Sequence, residues 1–276
     1  CARGSRFARL EILISIGLGD LFTELEDFSM AEQNYHYASD IFQGVDDRFL
    51  YFSLSFSRMN LALLNRDAVA ARTILVEVAE AVKSGQSNYE KGFLSLLHGR
   101  LHLLEEHPLE AVLEIENAEG YFLEDGRDVE SAVARLWHVA ASWQIGDRAG
   151  SAEILTSLYK NQGQISHAIL VAAHQAGSWL AGIRNDPEIK KTAIRSLFAQ
   201  ADRLVNKMPD VRRQLRRQAR VVQAPAAHLA IRAFGQAGVS VGGNPLSMSD
   251  WQTQSVRELF FYFLTISKPM TKEQIG

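Results

Sequence analysis

The chain has 276 residues, 47% of them hydrophobic and 22% charged, and carries a net charge of −3 at neutral pH. This composition is ordinary for a globular chain of one long or two unequal domains, and it excludes the strongly basic character that attracts nucleic acid through overall charge. The one cysteine, Cys1, excludes an intramolecular disulfide framework and a cysteine-based metal cluster, and it fits a reducing, cytoplasmic location. No run of about 18 apolar residues occurs, so we expect no membrane contact.

Four segments with a common outline follow one another in the first part of the chain. They are residues 18–38, 60–81, 99–119 and 138–159. In each, apolar residues at helical spacing run into a polar turn, and a second amphipathic helix pattern follows. Aligning the small residue at the head of each second helix gives Ala31, Ala71, Ala111 and Ala152, at spacings of 40, 40 and 41 residues. So regular a period indicates an internal repeat.

Polar turns separate the two helices of each pair. Residues such as Asp, Gly and Pro stop one helix there and start the next. The turns are Glu26-Asp27, Arg66-Asp67, Glu106-His107-Pro108 and Gly146-Asp147. Because a single helix pair cannot bury both of its apolar stripes, we expect neighbouring pairs to stack on one another.

The first segment resembles a tetratricopeptide repeat. The residues on the signature positions of that family are Leu18, Gly19, Phe22, Ala31, Tyr35 and Ala38. The period of 40 exceeds the usual ~34 and is similar to the longer repeats in the sensor arrays of bacterial transcriptional activators of the maltose-activator and signal-transduction ATPase type. The resemblance implies an all-α superhelix of about five helix pairs over residues 1–208, the fifth pair being 165–184 and 187–206.

In tetratricopeptide arrays the first helix of each pair lines a concave wall. Carried over by repeat position, the resemblance assigns that wall to Asp20, Glu24, Phe56, Asn60, Phe93, Arg100, Trp137 and Gln144. Aromatic rings beside a few polar groups suit a peptide or protein partner, or a small-molecule inducer such as a sugar. The alternative for each residue is that it only completes the packing between repeats.

An arginine-rich segment follows at 209–227, which we interpret as a helical linker. The arginines in question are Arg212, Arg213, Arg216 and Arg217. They could contact nucleic-acid phosphates or an acidic partner surface. The alternative is an ordinary solvated helix, and the sequence 223–228 is expected to break it.

The spacing of the apolar residues changes over residues 228–276, from a helical to a strand-like pattern at first. Residues 228–235 and 239–241 alternate as strands, and 242–245 read as a turn. Ser249 or Asp250 is expected to cap a helix, which Lys268-Pro269 ends. Its buried stripe is predicted to comprise Val256, Leu259, Phe260, Phe263 and Leu264. Thr271 and Gln274 then indicate the start of another helix.

This order of features is similar to the front of the winged-helix DNA-binding domains of response regulators and antibiotic-regulatory proteins. The matching stretches are "AFG", "VSVGGNPLS", "DWQTQSVRELFFYFL" and "MTKEQIG". In that family the next helix enters the major groove and a hairpin wing follows it. We therefore expect the winged helix to be incomplete, so that DNA is bound only by the full-length protein. Its uncovered apolar stripe is expected to dock, to pair with another copy or to remain mobile.

Catalytic and metal-binding patterns are weak. His98 and His102 lie four apart, with Glu105, Glu106 and His107 after them, which is a possible zinc half-site, but the two histidines fall on positions that suit packing between helices. We expect no metal, no cofactor and no enzymatic activity. The sequence therefore predicts a regulatory or sensor fragment of a bacterial transcriptional regulator. The alternative is a protein-interaction scaffold with no role at DNA.

Overall fold

The computed structural model describes residues 2–42, 46–83, 87–161, 166–187, 189, 194–222, 229–232, 237–241, 244–251 and 253–265. Over these ranges the chain is mostly helical. The helices are α1 (Ala2–Glu24), α2 (Phe28–Phe42), α3 (Arg48–Leu64), α4 (Ala68–Lys83), α5 (Asn88–Leu104), α6 (Pro108–Glu124), α7 (Asp128–Gln144), α8 (Arg148–Asn161), α9 (His167–Gln175), α10 (Ala181–Asn185), α11 (Arg195–Val222) and α12 (Gln254–Thr265). The strands are β1 (Leu229–Arg232), β2 (Gly238–Val241) and β3 (Asn244–Pro245).

Two compact units make up the chain. The first comprises Cys1–Arg212 and the second Arg213–Gly276, so the division falls inside α11. In the first unit, α1 to α8 pack mainly on their neighbours in sequence, which agrees with the predicted all-α helical repeat. Within the described ranges, no helix combines the length and the apolar character needed to cross a lipid bilayer.

Five turns of the first unit share one backbone geometry. Each has a residue with positive φ: Glu26 (56°), Arg66 (58°), Glu106 (63°), Gly126 (66°) and Gly146 (89°). The amide of the following residue donates to the carbonyl five residues earlier, at 2.8–3.0 Å in all five turns. This bond, together with a second one from the positive-φ residue, is the Schellman ending of a helix. The four predicted turns are confirmed, and the turn at Gly126 is an addition.

The residue after each positive-φ position also begins the next helix. The carbonyl of Asp27, for example, accepts from the amide of Ala31 at 3.0 Å. The side chains of Asp67 and Asp147 accept in addition from the amides of Ala70 and Gly150. One short turn therefore satisfies the end of one helix and the start of another, which explains its reuse at each repeat.

The small residue at the head of the second helix was assigned wrongly in the fourth repeat. Ala31, Ala71 and Ala111 are fully buried, as expected, but Ala152 is only half-buried. The fully buried residue is Ser151, whose amide donates to the carbonyl of Asp147 at 3.2 Å. The spacing is therefore 40 residues throughout. Serine is small enough to allow the same close approach of helices, so a search for alanine alone misses it.

The core of this unit is spread along the helices. One apolar cluster contains residues of every helix from α5 through α11, and Phe122, Leu136 and Leu180 are among its most buried members. A second joins α3, α4 and α5. Phe93 on α5 packs against both clusters, and its ring lies 5.1 Å from that of Phe122. The apolar interior is therefore continuous from one helix pair to the next.

The predicted fifth helix pair has different boundaries. Its first helix is interrupted at 176–180, between α9 and α10, although α10 does end beside the predicted turn at Asp186. Its second helix, α11, starts at Arg195 and continues past residue 206 to Val222. Pro209 lies inside α11, although proline has no backbone N–H to donate to the helix. The arginine-rich segment is thus the continuation of a repeat helix, and the expected break at 223–228 lies outside the described residues.

The second unit contains a small antiparallel sheet in the order β1-β2-β3. Leu229 pairs with Val241 and Arg232 with Gly238, which confirms the first two predicted strands. Asn244 and Pro245 were expected in a turn, but they form β3, opposite Val241 and Ser240. The expected helix starting at 271 lies outside the described residues.

Helix α12 differs from its prediction in two respects. The cap is Thr253, whose Oγ1 accepts from the amide of Val256 at 3.3 Å, whereas Ser249 and Asp250 lie in a preceding turn. The five residues predicted as a buried stripe are mostly exposed, and only Phe260 is half-buried. Phe260 packs on the buried Trp251, 5.1 Å between ring centres. The side of α12 that carries Phe260 is therefore the side that packs on Trp251.

Candidate ligand-binding site

Asn60 and Arg100 occupy the same position in consecutive repeats, 40 residues apart, near the ends of α3 and α5. Because equivalent residues of stacked repeats are neighbours, their side chains meet. The Nη1 of Arg100 donates to the Oδ1 of Asn60 at 2.7 Å. Two of the predicted wall residues are therefore in direct contact.

Arg100 is an unusual residue for an interior position. Only 7% of its surface is exposed, and its guanidinium lies over the ring of Trp137, 4.5 Å from the ring centre. Burial lowers the pKa of Arg100 to about 10, and no carboxylate among the described residues opposes that effect. Within the same residues its buried Nε has no hydrogen-bond partner. A buried cation of this kind is costly unless a further group stabilises it.

Trp179 lies beside this arginine–tryptophan pair. Its ring meets that of Trp137 edge to face, 5.7 Å between centres, and its carbonyl accepts from Gln144 Nε2 at 3.0 Å. The guanidinium of Arg66 lies 5.2 Å from the centre of the Trp179 ring. We call Asn60, Arg100, Trp137, Gln144 and Trp179 the Arg100 cluster.

A small cavity of about 40 Å³ remains within the Arg100 cluster. Arg66, Arg100, Trp137 and Trp179 line it, together with Gln175 and two leucines. A space of this size holds a few water molecules or one small polar group. Two arginines and two tryptophans therefore line the same small volume, which favours an anionic ligand.

Sequence analysis missed Trp179, because the fifth pair was read as two continuous helices. Trp179 lies in the turn 176–180 that separates α9 from α10. Gly177-Ser178 is the local signal that could have indicated the break, since both residues are poor helix formers. Ser178 also accepts from Arg66 at 2.7 Å, which ties this turn to the second repeat.

Phe56 and Phe93 occupy a row of aromatic rings. Their centres are 4.7 Å apart, in edge-to-face contact, and Phe52 and Tyr89 extend the row. Both residues are partly buried against the apolar core. Their placement matches the alternative stated above, the completion of packing between repeats.

Asp20 and Glu24 lie on α1, apart from the Arg100 cluster. Glu24 is exposed and lies 3.6 Å from the Nε2 of His167. Asp20 is half-buried and accepts from the hydroxyl of Tyr35 at 2.8 Å. Burial raises the pKa of the Asp20 carboxyl, and hydrogen bonds from Ser57 and Tyr35 offset part of that rise.

Replacing Asp20 with asparagine is expected to stabilise the protein at neutral pH. The pKa of Asp20 is higher in the folded state than its usual value of 3.8, so the charged form opposes folding. Its favourable contribution is present below 3.8 and is lost as the pH rises through the folded-state pKa. Urea unfolding of Asp20→Asn should show a gain over wild type at neutral pH that disappears in acid. The exposed Asp40→Asn serves as control, and an equal gain there would contradict this explanation.

The four candidate arginines of α11 divide into two groups. Arg212 belongs to the first unit, where its Nη2 lies 4.0 Å from a carboxylate oxygen of Glu26. Arg213, Arg216 and Arg217 belong to the second unit and are exposed. Glu26 also contacts the Nε2 of His174 at 2.7 Å. Arg212 thus contacts a carboxylate of the first unit itself.

Comparisons with protein-family models, with curated proteins and with solved structures found no match to this chain.

Proposed function

We propose that this chain is the sensor region of a bacterial transcriptional regulator. In this proposal the helical pairs form a tetratricopeptide-like superhelix that binds an inducer or a protein partner. Residues 228–276 belong to a winged-helix domain that binds DNA in the full-length protein. The observation that carries the binding role is the Arg100 cluster, because Arg100 is a buried cation with no acidic partner in the described part of the chain, and an anionic ligand would stabilise it.

The chemistry of the Arg100 cluster favours a ligand with a carboxylate or a phosphate. Guanidinium groups bind both anions through paired hydrogen bonds. Trp137 adds a flat apolar surface on which a sugar or an aromatic ring can stack. The Nε of Arg100, which has no hydrogen-bond partner in the ranges that the structure describes, gives such a ligand a free donor.

Ligand binding at the Arg100 cluster acts as a switch, because it displaces Trp179. The cavity is too small for an entire inducer while Trp179 covers it, so the turn 176–180 has to move when the ligand enters. Arg66 and Gln144 hold that turn through Ser178 and the Trp179 carbonyl. Ligand binding therefore changes the position of the segment between α9 and α10, and this displacement is the signal.

Two variants with opposite expected effects test the binding site. Sugar phosphates and short peptides with a free carboxylate are titrated into the protein, and intrinsic tryptophan fluorescence is followed. Arg100→Met should weaken binding at least ~10-fold, because a charge-assisted bond is lost. Trp179→Ala should strengthen binding, because the ligand no longer displaces a side chain.

A general loss of structure would shift both variants in the same direction. Thermal melting of each variant shows whether it folds. Arg127→Met provides a control, since Arg127 lies 5.0 Å from the ring centre of Tyr89 but is half exposed. Unchanged binding by Arg100→Met, with the wild type binding the probe, would refute the assigned site.

The regulator proposal is tested by DNA binding at one fixed salt concentration. This chain is compared with the longest protein that its gene encodes. Only the longer protein should bind with sequence preference, because the helix that enters the major groove is expected there. Binding by neither would remove the proposed role at DNA.

A protein-interaction scaffold is the second candidate. Exposed apolar residues on the second helices of two repeats favour it, namely Val69 and Val76 on α4 and Leu109 and Leu113 on α6. Val69 and Leu109 are equivalent positions, 40 residues apart. The exposed side chains of α12 offer a further surface, for self-association. Light scattering that finds a strict monomer at every concentration would exclude self-association.

A further inference from the structure

The turn between α5 and α6 brings together three side chains that can bind a metal. His102, Glu105 and His107 each place one ligand atom within 4.8 Å of the other two. Histidine nitrogen with carboxylate oxygen is a donor set that suits Zn²⁺ and related transition metals. His102 and Glu105 lie one helical turn apart, and His107 comes from the next turn of chain.

The Schellman ending creates this convergence. The amide of His107 donates to the carbonyl of His102 at 2.8 Å, so their backbones are in contact. In this type of ending the side chains at these two positions commonly touch. The corresponding pairs in the other four turns of the same geometry are Phe22 and Asp27, Ala62 and Asp67, Phe122 and Arg127, and Ser142 and Asp147. Histidine at both positions is therefore special to this turn and is not required by the repeat.

The surroundings of the three residues also suit a metal. Arg72 donates to Oε1 of Glu105, while Oε2 lies 3.9 Å from Nδ1 of His107. One carboxylate oxygen is thus held by a cation and the other points towards the histidine, as in sites whose outer partners orient the ligand. The Nδ1 of His102 is buried without a hydrogen-bond partner among the described residues. His107 is 57% exposed and leaves the site open to solvent.

His98 belongs to a different interaction. Its Nδ1 lies 3.0 Å from a carboxylate oxygen of Glu114 on α6, although its ring is close to that of His102. The pair of histidines four apart, which the sequence singles out, is therefore replaced by a trio that includes Glu105 and His107.

We propose that His102, Glu105 and His107 bind one divalent transition-metal ion, with Zn²⁺ as the best fit. Zinc ligands lie ~2.0–2.2 Å from the ion, so atoms within 4.8 Å of one another reach it by small rotations of their side chains. The fourth tetrahedral position is left to water or to a partner's side chain. The ion clamps the end of α5 to the start of α6. This site is independent of the Arg100 cluster and of any role at DNA.

The test is a titration of the whole, tag-free chain with Zn²⁺ by calorimetry. One ion should bind per chain, and Zn²⁺ should raise the melting temperature, since it stabilises the folded state that binds it. His102→Gln, Glu105→Gln and His107→Gln should each weaken binding by ~10-fold or more. The exposed His36, 3.7 Å from Asp40, supplies the control His36→Gln, which should bind as the wild type does.

His98→Gln separates the two possible arrangements. If it retains zinc binding while His107→Gln loses it, the trio is supported. If His98→Gln abolishes binding and His107→Gln does not, the helical pair is the ligand set and the proposal is overturned. Zinc binding of unchanged strength in the double variant of His102 and His107 would overturn it as well. Melting without metal identifies any variant that fails to fold, and His107→Gln, at an exposed position, keeps the test decisive.

Discussion

Replacing Phe122 with alanine is expected to lower the free energy of unfolding by about 3–5 kcal/mol. Phe122 is fully buried on α6, and its ring contacts that of Phe93 edge to face. A Cβ added at Gly92 would lie 2.7 Å from the Phe122 ring, which shows how closely α5 and α6 approach at this point. Removing the ring leaves a cavity between helices that cannot collapse without breaking the stack of repeats.

The neighbouring residue provides a matched control. Leu123 is 56% exposed on the same helix, so Leu123→Ala removes little buried surface and should change stability by less than ~1 kcal/mol. Both variants are compared by urea unfolding followed by circular dichroism. Equal losses for the two would mean that the core does not run between α5 and α6 as described.

Gly99→Ala is expected to destabilise the protein by about 1–3 kcal/mol, although alanine is normally the better helix residue. A Cβ at Gly99 would lie 2.5 Å from Cγ1 of Ile115 and 3.1 Å from the carbonyl oxygen of Ala111. Ile115 is fully buried and Ala111 presents backbone, so neither can move aside at small cost. The strain therefore outweighs the gain in helix propensity.

Gly120 on α6 tests the sign of this effect. A Cβ there would meet nothing within 4 Å, so Gly120→Ala should raise the free energy of unfolding by about 0.5–1 kcal/mol. Thermal melting of the two variants should thus shift in opposite directions. A stabilised Gly99→Ala would show that α5 and α6 are further apart than the structure describes.

Much of the first unit was predictable because its cues are local. The turns at Glu26, Arg66, Glu106 and Gly146 are visible as polar interruptions in apolar helical patterns, and the structure ends helices there. The period of 40 follows from repeating that local signal. The error at Ser151 arose because two adjacent small residues compete for one position, and only burial separates them.

The second unit was harder to predict, for reasons that also have a physical basis. Several residues can cap a short helix. In the structure Thr253 caps α12, whereas Asp250 accepts from the amide of Ser247. The inward edge of α12 depends on where Trp251 packs. Neither contact is set by the helical period of the sequence.

The candidate site also has one part that could be predicted from the sequence and one part that could not. Asn60 and Arg100 could be paired in advance, because equivalent positions of stacked repeats are neighbours. Trp179 could not, since it reaches Trp137 only through the break between α9 and α10. Likewise, the spacing of the histidines favours a pair of His98 and His102. In the structure the turn between α5 and α6 brings His107 close to His102, and His98 contacts Glu114.

The sequence by itself determined the helical repeat, its period and the places where its helices end, since these depend on hydrogen bonds and side-chain spacing within a few residues. Only the tertiary structure decided which polar groups meet in the interior. The burial of Arg100 against Trp137, and the convergence of His102, Glu105 and His107, depend on how the chain folds back on itself. Such contacts are fixed by packing between separate elements, which local sequence patterns do not encode.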